Sequence, residues 1–85
     1  MPYIITLKKS AEKELEALPP KIHDKVIKAL LDLKKNPYPR NAKKLHGRDG
    51  ARIRIGNLRI LYLVKDSIKE IEVFSIADRK DVYRY

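Results

Sequence analysis

Eighty-five residues make a single domain, 1–85, and with no cysteine to staple it the fold rests on a modest hydrophobic core. Twenty Lys and Arg against 11 Asp and Glu leave a formal charge of +9, a field that draws polyanions, nucleic acid first and an acidic protein second, unless the charge serves only solubility. No charged-then-apolar leader stands at Met1–Leu7 and no apolar run approaches the ~20 residues of a bilayer span, so a soluble, cytoplasmic protein with no membrane partner is expected.

Pro2 to Leu7 reads as a short strand, because Tyr3, Ile4, Ile5 and Thr6 are aromatic or β-branched. Lys8 to Leu18 reads as a helix whose narrow apolar stripe is Ala11, Leu15 and Leu18. Pro19 and Pro20 end it, since the residue before a proline avoids the α region. Pro20 also suits the first turn of a second helix, predicted from about Pro20 to Lys35. Ile22, Val26, Ala29, Leu30 and Leu33 mark its buried face; Lys21, Asp24, Lys25, Lys28 and Asp32 face solvent. So short a joint predicts an antiparallel helical hairpin. Asn36-Pro37-Tyr38-Pro39 stops the second helix, and a long basic connector runs from Arg40 to Gly50.

Beyond Gly50 the period changes to two. Ala51 to Ile55, Arg59 to Val64 and Glu70 to Ala77 read as strands, with Lys65 to Lys69 as the turn between the last two. Asp78 to Tyr85 is a short polar tail. The order β-α-α-β-β-β predicts an α+β domain, a mostly antiparallel four-stranded sheet with the helical hairpin packed on one face.

Gly56-Asn57 is a two-residue hairpin signal with glycine where a type II′ turn needs it. That register pairs Ile55 with Leu58, Arg54 with Arg59 and Ile53 with Ile60. Arg52 shares the face of Arg54, because strand side chains alternate. Three guanidinium groups then stand together opposite a face of Ile53, Ile55 and Ile60 that takes the helices. Like charges directly opposite one another are destabilising, so the arrangement makes sense around a shared anion, which an arginine fork grips bidentately. The alternative is a solvated basic face with its side chains splayed apart.

Two further groups are candidates for the same surface. Arg79 and Tyr83 stand four apart in the tail, and a tyrosine ring can stack a base or simply pack on the sheet edge. Lys43, Lys44, His46 and Arg48 in the connector can meet phosphates along an RNA strand, or form a solvated basic loop. His46 has no evident partner for acid–base work. No cysteine and no histidine spacing suggests a metal ligand set, the three glycines form no phosphate loop, and neither Ser10, Ser67 nor Ser75 has a nucleophile-elbow context. No cofactor is expected. What remains is phosphate chemistry on an arginine-lined surface without a metal.

The segment Ala51-Arg-Ile-Arg-Ile-Gly-Asn-Leu-Arg-Ile-Leu-Tyr62 resembles the central hairpin of the RelE/ParE toxin superfamily. Ala77-Asp-Arg-Lys-Asp-Val-Tyr83 resembles the closing signature of its RelE branch, and Lys44-Leu45-His46-Gly47 the short element before the second strand. Three loose motifs in the right order, together with the helical hairpin, extend the resemblance over essentially the whole chain.

That resemblance implies the toxin of a type II toxin–antitoxin system: an endoribonuclease acting on mRNA in the ribosomal A site, held in a toxin–antitoxin hetero-oligomer by a cognate acidic antitoxin. It implies metal-independent attack by the RNA's own 2′-OH. The matching positions are Arg52, Arg54, Arg59, Arg79 and Tyr83: Arg59 and Arg79 as a charge clamp, Tyr83 for stacking and orientation, Arg52 and Arg54 on flanking phosphates. The chain departs from the family pattern in carrying Arg52 and Arg54 where studied members have lysines, and in lacking the C-terminal histidine of some relatives; arginine is a poor base because it stays protonated. Two other readings stand beside this one: a ParE-like poison of DNA gyrase, and a degenerate toxin that only binds nucleic acid or antitoxin.

Overall fold

The computed structural model describes residues 3–78. In chain order the elements are β1 (Ile4–Leu7), α1 (Lys9–Glu16), α2 (Pro20–Lys35), β2 (Lys43–Lys44), β3 (Ala51–Ile55), β4 (Leu58–Lys65), a 3₁₀ turn (Asp66–Ile68) and β5 (Glu70–Asp78). Local chemistry sets the helix ends. Pro20 occupies the first turn of α2, where a missing N–H costs nothing. At the other end the Asn36 side chain accepts the Tyr38 backbone N–H at 3.0 Å, an Asx turn that bends the chain out of the helix.

The strands form one five-stranded sheet in the order β1-β5-β4-β3-β2. Three of its pairings are antiparallel and one, β1 with β5, is parallel. The sheet has one more strand than the sequence predicts. Lys43 and Lys44 pair with Arg52 and Ala51, so part of the connector is an edge strand. Two lysines show no alternation, and their pairing comes from the β3 edge rather than from local preference.

Both helices cover one face of the sheet. The core joins Ala11 and Leu15 of α1, Val26, Leu30 and Leu33 of α2, and Ile53, Ile60, Tyr62, Ile71, Val73 and Ile76 of the sheet. The apolar positions expected on α2 mostly hold, but Ile22 at its start is 36% exposed. Where β1 ends at Leu7, the outer edge of β5 would be bare; Glu14 of α1 accepts the Ile76 N–H there at 2.9 Å. No helix among the described residues is long and apolar enough to cross a membrane.

Candidate nucleic-acid interface

The β3–β4 hairpin turns at Gly56-Asn57, with Gly56 at φ +59° and Asn57 at negative φ, the pattern of a type II′ turn. The register follows: Ile55 opposite Leu58, Arg54 opposite Arg59, Ile53 opposite Ile60, Arg52 opposite Leu61. Ile53 and Ile60 enter the core, so alternation sends Arg52, Arg54 and Arg59 to the face away from the helices. Their surroundings differ. Arg54 is exposed and Arg52 half-buried, whereas Arg59, on a strand flanked on both sides, is 5% exposed.

The edge strand completes the surface. Lys43 pairs with Arg52 and therefore shares its face. Beside them the connector brings Arg40 and Asn41, and these residues with Arg54 line a cleft of about 470 Å³. Among the described residues, four cations and an amide line that cleft, and no carboxylate does. A smaller hollow of about 80 Å³ at the hairpin end is lined by Arg54, Gly56, Asn57, Leu58 and Arg59, so the cross-strand arginine pair borders one space. Among the described residues Lys65 and Glu72 form an ion pair at 3.7 Å and His23 Nδ1 lies 3.7 Å from the Asp24 carboxyl, and neither Arg52 nor Arg54 takes part in either contact. Cations crowded on one surface hold an anion far better than they hold each other.

The remaining expected residues fall in different places. Lys44 pairs with Ala51, on the opposite parity, and borders a separate hollow with Tyr38, Gly50, Leu63 and Val64. His46 is exposed in the connector. Arg48 is not loose: its guanidinium carbon lies 4.3 Å from the centre of the Phe74 ring. Arg79 and Tyr83 lie outside the described residues. Arg40 and Asn41 were not singled out by the sequence; the only signal was their place directly after the Pro37-Tyr38-Pro39 stop. Phe74 also escaped, because it reads as one more apolar residue of a strand.

The connector is tied down around this surface. Tyr3 and Tyr38 both donate their hydroxyls to Asp66, in the turn between β4 and β5. Those two bonds, Tyr3 first, hold the Asp66 carboxyl below the usual carboxylate range. The same interaction pushes the Tyr38 hydroxyl up to about 12. The Tyr62 hydroxyl, raised to about 12 by burial, donates to the Pro37 carbonyl at 2.9 Å.

A family model described as the ParE toxin of type II toxin–antitoxin systems matches residues 5–83. The chain is 32% identical over 88 residues to a Methanocaldococcus jannaschii protein named "Putative toxin RelE1", covering 99% of this chain and 98% of that protein. Among solved structures it is similar to a chain of the RelBE2 toxin–antitoxin complex of Mycobacterium tuberculosis, with a TM-score of 0.79 and 29% identity over 93% of this chain and 100% of that one. A chain of the RelE–RelB complex of Pyrococcus horikoshii OT3 superposes with a TM-score of 0.79 and 26% identity, over 93% and 97% of the two chains. A mutant of the Escherichia coli toxin RelE in the free state gives 0.81 and 26%, over 99% and 93%.

Proposed function

Because the chain belongs to the ParE toxin family of type II toxin–antitoxin systems, and is similar to RelE toxins in sequence and fold, we propose that it is an mRNA interferase of the RelE kind. On this reading it is a metal-independent endoribonuclease that cuts message in the ribosomal A site. The observation that carries it is the cleft lined by Arg40, Asn41, Lys43, Arg52 and Arg54, with no carboxylate among its described lining residues. A surface built to hold a polyanion backbone, and to stabilise charge building on a phosphoryl group, has this character.

The RNA supplies the nucleophile and the leaving group, these side chains supply positive charge, and a general base other than the arginines takes the proton. The 2′-oxygen attacks the adjacent phosphorus and the bond from phosphorus to the 5′-oxygen breaks. The products are a 2′,3′-cyclic phosphate and a 5′-hydroxyl. The 2′-OH proton passes to a base, and the leaving oxygen takes one up. Negative charge grows on the phosphoryl oxygens in between. Arg54 and Arg59, bordering one hollow, are assigned to that charge, with Arg79 as a further donor. Arg52, Lys43 and Arg40 hold flanking phosphates, and Tyr83 orients the substrate by stacking. With the arginines permanently protonated, alignment supplies much of the rate, part of it from the ribosome.

A cognate acidic antitoxin is the expected regulator. The similar structures from M. tuberculosis and P. horikoshii are toxin–antitoxin complexes, and a chain of +9 formal charge attracts an acidic partner.

The test is induction of the protein in a translating extract with mapping of RNA 5′ ends. In-frame cuts on ribosome-bound message are expected, and Arg54→Ala should weaken them on the order of 10²–10³-fold. DNA breaks with intact message would replace this reading with ParE-like gyrase poisoning. Neither outcome would leave a degenerate toxin that only binds.

A further inference from the structure

The cleft handles phosphates, yet the same face carries an aromatic that phosphate chemistry does not use. The pairing of β4 with β5 slips between Leu61 and Tyr62: Leu61 faces Ser75 while Tyr62 faces Val73, which leaves Phe74 as an extra residue on β5. A bulge re-aims a side chain. Phe74 is half-buried and absent from the core between sheet and helices. Its ring meets the connector instead, with the Arg48 guanidinium 4.3 Å above its centre. Gly50 closes the contact from the side. A Cβ there would stand 3.5 Å from the ring and 2.9 Å from the Tyr62 carbonyl oxygen, so only glycine lets the connector lie this close.

Arg48 is exposed and belongs to no ion pair among the described residues. Its guanidinium is backed by the ring, and the residue as a whole remains exposed to solvent. We propose that Arg48 backed by Phe74 is a nucleobase-stacking shelf for single-stranded RNA, an assignment that rests on reading the neighbouring cleft as the RNA site. Planar guanidinium groups stack on bases as aromatic rings do. Contact with Phe74 holds the guanidinium in place before RNA arrives, which lowers the ordering cost of the stack. The position is right as well. Phe74 lies on β5 and Arg52 on β3, two strands apart, about 10 Å across the sheet. A strand whose phosphates occupy the cleft can lay a neighbouring base on the shelf.

The competing role is structural, in which Phe74 merely pins the connector through Arg48. An abasic scan separates the two. The full chain is titrated with a short single-stranded 2′-O-methyl oligoribonucleotide, which lacks the attacking hydroxyl and stays intact, and then with versions missing one base at each position. One abasic position should weaken binding to the wild type on the order of tenfold. In Phe74→Leu and Arg48→Lys, binding to the intact oligonucleotide should already be weaker by a similar factor, and that position should lose its effect. Neither substitution changes charge, so the dependence of affinity on salt should match the wild type. Arg48→Lys, in an exposed stretch, keeps the test readable should Phe74→Leu fail to fold. A flat scan in the wild type, or the same dip in both variants, overturns the shelf; if Arg52→Ala still weakens binding, the RNA site itself stands. No salt-dependent binding of the intact oligonucleotide to the wild type would bring down both.

Discussion

Arg54 and Arg59 face each other across one hairpin and will answer truncation differently. Arg54 is exposed, and its cross-strand neighbour has the same charge. Arg54→Ala should therefore leave stability within about 0.5 kcal/mol of the parent, or raise it slightly by relieving repulsion. Arg59 is 5% exposed at the sheet centre. Arg59→Ala empties packed space and should cost about 1–3 kcal/mol in urea unfolding. Equal stability of the two variants would show that burial of Arg59 plays no part in the packing. Loss of toxicity in Arg59→Ala alone is thus ambiguous between chemistry and folding, whereas loss in Arg54→Ala speaks for chemistry.

The connector between α2 and β3 frames the cleft, and what fixes it lies at the far end of the sheet. Asp66 takes hydroxyl bonds from Tyr3, just before β1, and from Tyr38, just after α2. Its carboxyl sits below the ordinary value, so folding favours the charged form. The stability this contributes is present above the unfolded carboxylate value, ~3.9, and is lost as pH falls through the lower folded value. Asp66→Asn should remove that dependence, so wild type and variant should converge in melting temperature as acid is added. The same substitution should bring the Tyr38 hydroxyl down from about 12 toward the ordinary tyrosine value, read by tyrosinate absorbance in an alkaline titration. An acid limb equally steep in both proteins would mean that the cluster does not tether the connector.

At the scale of the whole molecule, charge governs encounter. The chain carries +9 formally, and the cleft concentrates Arg40, Lys43, Arg52 and Arg54 on the sheet face that the helices leave open. We expect an acidic antitoxin segment, disordered until bound, to settle over part of this surface and block RNA access. Its association rate should fall as salt rises, because exposed charges are screened beyond about 10 Å at 0.1 M ionic strength. The apolar part of the contact should keep dissociation slow at every salt concentration. Stopped-flow association across a salt series, with RNA as competitor, checks this; an on-rate indifferent to salt, or a complex that still cleaves message, counts against it.

Much of this was legible in the order of residues. Gly56-Asn57 determined the hairpin register by itself, since a two-residue turn leaves one pairing, and period-two alternation then put Arg52, Arg54 and Arg59 on one face. Pro20 at the start and Asn36-Pro37 at the end bounded α2 in the same local way. Tertiary structure alone decided the rest, because those features depend on partners distant in the chain. Lys43 joins the arginine face only because the β3 edge accepts a two-residue strand, and that same pairing sends Lys44 to the other side. Arg59 is buried beside Leu61, Ser75 and Ala77, which its own stretch of sequence does not state. Phe74 leaves the core because β5 carries one residue more than β4 opposite it, a mismatch that exists only once the two strands are paired.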